Sequence, residues 1–218
     1  MNPPADSILI FFALPEEARP FRKLAAAGQG RVAVVVTGMG ARNAERVARA
    51  TLAGARPTLV LTCGYAGGLN PALPPLTLVF SDDAPEPVAT ALGKLGARAG
   101  RFHCATRVAI TAAEKRALFA ENGADAVEME SGVIRNVCAE LGIPCVTLRV
   151  ISDAADEDLP LDFNRLTTRE QNLSLPKLAW AVATAPGKIP GLLALGKRTS
   201  AAAGKLGAAL AQLVRALG

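Results

Sequence analysis

Residues 124–156, ADAVEMESGVIRNVCAELGIPCVTLRVISDAAD, constrain this chain more than any other stretch. A short apolar run ends in two carboxylates, Glu128 and Glu130, and Val133, Ile134, Val137, Ala139 and Leu141 then recur with helical spacing. Gly142 stops that helix, Pro144 follows, and CVTLRVI is β-branched and nearly uncharged, as a strand buried on both faces is. Ser152-Asp153 closes the strand. The unit is strand, helix, strand, with carboxylates where each strand gives out. In open α/β sheets, ligands sit beyond the carboxyl ends of the strands.

The rest of the chain repeats the alternation. ILIFFAL reads as a strand and PEEARPFRKLAAAG as a helix, Pro15 suiting its first turn and Glu16 and Glu17 its positive end. RVAVVVTG and ARNAERVARATLAG form the next pair, joined at Thr37-Gly38-Met39-Gly40, a turn able to cradle an anion on its N–H groups. TLVLTCG runs into Gly64-Tyr65-Ala66-Gly67-Gly68-Leu69, whose glycines imply close approach of the backbone to a ligand or another segment. LTLVFSD is a further strand, and residues 86–100 are poorly patterned, with one or two helical turns over 88–95. FHCATRVAI reads as a strand and AAEKRALFAENG as an amphipathic helix stopped by Gly123. The expected fold is a three-layer α/β/α sandwich around a mixed, largely parallel central sheet. Residues 1–218 read as a single domain, with a helical, basic C-terminal extension at about 157–218.

Composition narrows the function classes. The chain has no apolar run of membrane-spanning length and no signal-like start, so a cytoplasmic location is expected. Cys63, Cys104, Cys138 and Cys145 lack paired spacing and read as free thiols. His103 is the one histidine, so zinc sites and histidine-based triads have almost no material, and it reads as a partly buried strand residue. No metal or cofactor is expected. The formal charge is +5, yet residues 171–218 carry six basic and no acidic side chains, which leaves the body at −1. Such a tail suits either an anionic surface or a solvated helix face. Nucleic acid binding has no aromatic-basic stretch behind it.

Four motifs in order, GMG-x-x-NA (residues 38–44), CGYAGGL (63–69), AVEMES (126–131) and RVISDAAD (149–156), resemble the nucleoside phosphorylase and nucleosidase superfamily. Within it, the chain is most similar to the methylthioadenosine/S-adenosylhomocysteine nucleosidases and to the hopanoid-associated nucleoside phosphorylases. The resemblance implies a phosphorylase/hydrolase-like fold, a homo-oligomer, and cleavage of the bond between ribose and a purine, of adenine type. Such cleavage needs a proton on the departing base and tolerance of positive charge on the ribose.

Carried over by motif, Asp153 is the acid that protonates the purine and Ser152 orients it; that role at neutral pH calls for a water-poor pocket. Glu130 takes both ribose hydroxyls, since one carboxylate offers two acceptor oxygens to a vicinal diol. Met129 packs against the sugar, and Glu128 either joins that site or pairs with Arg149. Gly64, Tyr65, Ala66 and Gly67 line the substrate. Glu17, chosen over Glu16 by alignment of ALPEE, activates the attacking water in the hydrolytic members. Phosphorolytic members hold phosphate with arginines at two positions that here read Leu-Pro-Glu-Glu and Thr62, and Tyr65 replaces a small hydroxyl residue. Glutamates without those arginines repel an anionic nucleophile, so hydrolysis is expected over phosphorolysis. Arg42 or an arginine from a second subunit would have to rebuild a phosphate site.

The phenylalanine that stacks on adenine in the nucleosidases has no counterpart in AITAAEKRAL, which leaves Phe102, Tyr65 or a tail residue for that task. The tail reads as three helical stretches separated at Pro186-Gly187 and Gly204. Its leucines and cations resemble the hopanoid-associated group, which implies a cover over the 5′ side of the sugar and peripheral contact with a membrane. Alternatives are phosphorolysis of a hopanoid-linked nucleoside, and a non-catalytic nucleoside binder.

Overall fold

The β-branched runs become the strands of one twisted sheet. In the computed structural model, which describes residues 7–25, 31–166, 168 and 174–217, eight strands appear: β1 (Ile8–Phe12), β2 (Val32–Val36), β3 (Leu59–Gly68), β4 (Leu78–Ser81), β5 (Arg98–Gly100), β6 (Phe102–Cys104), β7 (Ala126–Glu128) and β8 (Cys145–Asp153). The main order is β2-β1-β3-β8-β4-β5, and β7 joins the far end of β3 and carries β6 beside it. The β1/β2, β1/β3, β3/β8, β4/β5 and β6/β7 pairs are parallel, whereas β4/β8 and β3/β7 are antiparallel.

Helices cover both faces, which is why the central strands carry apolar residues at successive positions. On one side Leu9, Phe11 and Val60 meet Ala44, Ala48 and Leu52 of α2 (Ala41–Leu52) and Ile134 and Val137 of α5 (Ser131–Glu140). On the other, Ile10, Phe12 and Leu61 meet Phe21 of α1 (Pro15–Ala25), Leu92 of α3 (Glu86–Lys94) and Leu206, Leu210 and Leu213 of α7 (Ile189–Leu217). The remaining helices are α4 (Ala112–Asn122) and α6 (Leu175–Thr184). The mixed three-layer sandwich is the architecture that the alternation of strands and helices implies.

Several local expectations change. β3 continues beyond the expected strand TLVLTCG through Gly67 and Gly68, because these pair with Val127 and Ala126 on one side while β8 follows on the other. Residues 86–100 hold a full nine-residue helix and a strand, and FHCATRVAI yields only the three residues of β6. Gly204 does not interrupt the tail: α7 runs unbroken for 29 residues, since its C-terminal half is alanine- and leucine-rich and buried. Burial there outweighs the cost of about 1 kcal/mol that glycine carries inside a helix.

α7 crosses α1 at very short range. A Cβ on Gly207 would lie 2.8 Å from the Phe21 nitrogen and 2.9 Å from Pro20 Cβ, so only glycine fits at the crossing. The N-terminal half of α7 is different, with Ile189 and Leu193 exposed, as is Trp180 of α6. No single helix among the described residues is long and apolar enough to cross a membrane; α6 and α7 together have the composition but bend by 102° at their break.

Candidate active site

Four acidic side chains and two basic ones gather at the carboxyl ends of β1, β3, β7 and β8. All are buried: Glu17, Glu128, Glu130, Asp153, Lys115 and Arg149. Five lie in the stretches that the sequence singled out, and Lys115 does not.

Glu17 comes from the first turn of α1, whose start at Pro15 places Glu17 inward and Glu16 in solvent. Its Oε2 accepts from the Leu14 N–H at 2.9 Å and its Oε1 from the Tyr65 N–H at 2.9 Å. Burial pushes its pKa up from 4.5 to about 7, although Arg149 and the two N–H groups pull the other way. Gly64 permits this approach: a Cβ there would stand 2.6 Å from both Glu17 Oε1 and Arg149 Nη1.

Arg149, fully buried on β8, is the hub. Its Nη2 donates to Glu128 Oε2 and, at 3.3 Å, to Thr62 Oγ1, and it lies 3.7 Å from Glu130 Oε2. Burial alone would lower its pKa, but Glu128, Glu130 and Glu17 outweigh burial and keep it charged. Glu128 is satisfied entirely within the protein, accepting also from the Glu130 N–H at 3.0 Å, the Ser131 N–H at 2.8 Å and Ser131 Oγ at 2.7 Å. Burial raises it, yet Arg149 and these donors hold its pKa below the ordinary carboxylate value. Glu128 thus forms the pairing with Arg149 that was one of its two expected roles. Thr62, at one of the positions where phosphorolytic members carry arginine, is itself held by Arg149, while Arg42 is exposed on α2.

Glu130 lies just beyond β7, at the start of α5. Its Oε1 accepts from the Gly40 N–H at 2.8 Å. The glycine turn that looked suited to an anion thus holds one from within the chain. Gly40 has φ 82°, a left-handed conformation that glycine adopts without strain. Burial raises the Glu130 pKa, Arg149 opposes this, and neighbouring Glu128 adds to it. Met129 is half-buried between Glu128 and Glu130.

Asp153 ends β8. The β3/β8 register shifts between Ala66 and Gly67, so Gly67 stands opposite Asp153 and Ser152 is the extra residue. A Cβ on Gly67 would come 3.3 Å from Asp153 Oδ2. Ser152 Oγ lies 2.6 Å from Asp153 Oδ1 and 3.2 Å from the Ala66 carbonyl oxygen. Lys115 Nζ, from α4, donates to Asp153 Oδ2 and to the carbonyl oxygens of Ala154 and Glu157, each at 2.8 Å. Sequence reasoning missed Lys115 because a lysine in AAEKRALFAENG reads as part of a solvated helix face; only its burial at 0% exposure betrays it.

The aromatic candidates lie on different faces. Phe102 packs against the cluster of Ala66, Leu73, Val79, Ala126 and Ile151, while half-buried Tyr65 faces the α1/α7 side. Burial first, then Glu17 and Glu16, raises the Tyr65 pKa and keeps it a neutral phenol. His103, half-buried on β6, meets Asn122 Nδ2 at 3.2 Å. All four cysteines are free, and no group of three or more metal-binding side chains occurs among the described residues.

Comparison with known proteins follows the same lines. A family model described as "Phosphorylase superfamily" matches residues 14–86 and 89–183. An aminodeoxyfutalosine nucleosidase of Helicobacter pylori is 40% identical over 60 residues, 28% of this chain and 26% of that protein. A 5′-methylthioadenosine/S-adenosylhomocysteine nucleosidase of Mycobacterium bovis is 47% identical over 45 residues, 21% of this chain and 18% of that one. The chain therefore covers about a quarter of the first relative's length and less of the second. A futalosine hydrolase structure from Helicobacter pylori superposes with a TM-score of 0.71 at 18% identity, covering 97% of this chain and 98% of that one.

Proposed function

Since the chain belongs to the phosphorylase superfamily, we propose that it cleaves the N-glycosidic bond of an adenine-type purine nucleoside by hydrolysis, releasing free base and a ribosyl product. The observation that carries the proposal is Glu17, a buried carboxylate with a pKa raised to about 7, set beside Glu130 and Arg149. Such a group can take a proton from water near neutral pH. The names of the nucleosidases similar to the chain in part support the same chemistry.

In this mechanism the ribose 2′ and 3′ hydroxyls lie on Glu130, whose carboxylate is oriented by the Gly40 N–H. Asp153 gives a proton to a ring nitrogen of the base as the C1′–N bond breaks. Water adds to C1′ and passes its proton to Glu17. Arg149 spreads counter-charge over Glu17, Glu128 and Glu130, so that three carboxylates coexist without ejecting one another. Met129, Gly64, Tyr65, Ala66 and Gly67 line the substrate. An attacking phosphate would have to approach Glu17 with Arg149 already engaged by carboxylates. Release of base from purine nucleosides, measured with and without phosphate, tests the proposal. Phosphate-independent release that Asp153→Asn abolishes is expected, and strict phosphate dependence would overturn the hydrolytic mechanism.

We also propose that the exposed residues Trp180, Ile189 and Leu193, with exposed Lys188 and Lys197 nearby, rest on an anionic membrane surface and cover the 5′ side of the sugar. Truncation at residue 186 would remove core leucines of α7, so the test uses the double substitution Trp180→Ser and Leu193→Ser. Sedimentation with phosphatidylglycerol vesicles should fall at least tenfold in the variant. Equal sedimentation of both proteins would end the idea, as would loss of self-association in the variant without any vesicle binding by the wild type.

A further inference from the structure

α4 contributes one side chain to the site, and it is the fully buried one, Lys115. Its three contacts are all acceptors, Asp153 Oδ2 and the carbonyl oxygens of Ala154 and Glu157, which matches the three protons of an ammonium group. A strap between α4 and the segment after β8 does not require this lysine. The start of α4 and the stretch leading into it are already tied to that segment by Ala112 N–H to Asp158 Oδ1 at 2.7 Å, Leu159 N–H to the Ile110 carbonyl at 2.8 Å and Val108 N–H to Asn164 Oδ1 at 2.9 Å. A buried ammonium is a costly way to add one more tie.

The other charges around Asp153 are committed elsewhere. The Glu157 carboxylate is turned to Arg198 of α7, with Oε2 2.8 Å from Nη1 and Oε1 2.5 Å from Nη2. Arg149, on the same strand, faces Glu17, Glu128 and Glu130. Among the described residues, Lys115 is therefore the cation in contact with Asp153. It occupies Oδ2 as a donor, so a proton carried by Asp153 belongs on Oδ1. There Ser152 Oγ, which donates to Oδ1 of the carboxylate, can turn its hydrogen to the Ala66 carbonyl oxygen and accept from the protonated acid instead.

Resting on the mechanism proposed above, we propose that Lys115 is a positioning residue for glycosidic cleavage: it confines the transferable proton to Asp153 Oδ1 and neutralises the carboxylate left when that proton goes to the base. The bonding electrons of C1′–N leave with the base, which gains the Asp153 proton. Water supplies hydroxide to C1′ and its remaining proton to Glu17, from which solvent returns it to Asp153 after the products depart. Lys115 keeps all three of its own protons throughout.

The experiment compares wild type, Lys115→Met, Lys115→Arg and Asp153→Asn on adenosine and on 7-methyladenosine, whose base is already cationic and needs no protonation. Circular dichroism melts report folding. The expected loss for Lys115→Met is about 100-fold in kcat on adenosine, within the range of general acid catalysis, with KM changed by less than about threefold. On 7-methyladenosine it should stay within about threefold of wild type, and Lys115→Arg should recover at least about tenfold on adenosine. Equal losses on both substrates, or no loss on either, would overturn the proposal. If Asp153→Asn discriminates between the substrates and Lys115→Met does not, only the role of Lys115 fails. If Asp153→Asn cleaves adenosine as wild type does, the role of Asp153 itself fails.

Discussion

Replacing Glu17 by glutamine should move activity and stability in opposite directions over one pH window. Glu17 is buried and its pKa rises from 4.5 to about 7 on folding. The folded protein therefore holds this proton more tightly than the unfolded chain does. That stabilisation is complete below 4.5 and is lost as pH rises through about 7. The gap between 4.5 and about 7, at about 1.36 kcal/mol per pH unit, is worth about 3 kcal/mol at full effect. For a chain of this size that corresponds to about 6–12 °C in Tm. Glutamine cannot titrate, and its carbonyl oxygen keeps one of the two N–H partners, Leu14 or Tyr65. The Tm of wild type minus that of Glu17→Gln should therefore fall by about 6–12 °C between pH 4.5 and 8. Wild-type kcat/KM should climb over the same window as the carboxylate forms, while the variant should lose about 10²- to 10⁴-fold in turnover above pH 7 and progressively less towards pH 4.5, where the wild-type carboxyl is itself protonated. Thermal melts and base-release assays in matched buffers read both. A Tm difference that is flat with pH would refute the burial argument, and a variant with wild-type turnover would refute Glu17 as the base.

Glu128→Ala should be among the most destabilising single changes, by about 3–5 kcal/mol in urea denaturation, because it strips the buried Arg149 of the carboxylate it hydrogen-bonds. Gly64→Ala should cost about 1–3 kcal/mol and abolish base release, since the added methyl would overlap both Glu17 Oε1 and Arg149 Nη1. Both losses are checked by the same two assays, and a Gly64→Ala protein with wild-type kcat would show that the site relaxes more easily than its packing implies.

The sequence is most readable where chemistry and periodicity coincide. Residues 124–156 declare a strand, a helix and a second strand, and the structure has β7, α5 and β8 there, with Glu128 and Asp153 as last residues of their strands. Glu17 and Glu16 are equal as letters. Burial separates them, through the direction in which α1 leaves β1. The glycines after Cys63 look like a loop to any local rule, yet hydrogen bonding from β7 and β8, both distant in sequence, keeps them in β3. Lys115 was illegible for the same kind of reason: local pattern places a lysine in water, and only the tertiary arrangement of α4 against the end of β8 gives it three buried acceptors. Gly204 reads as a break because local propensity says so, but burial of the surrounding leucines decides otherwise.

The crossing of α7 over α1 at Gly207 has a consequence for how the site comes into being. α1 carries Glu17, and the surface it rests on is made from residues nearly two hundred positions later in the chain. Contacts of such sequence separation form late, because a long loop must close first. During synthesis, β1 and α1 leave the ribosome early, with Phe21 lacking its partner until α7 follows. A polypeptide paused before α7 would leave the apolar face of α1 around Phe21 uncovered. Seating of the helix that carries Glu17 is thus timed by the opposite end of the chain.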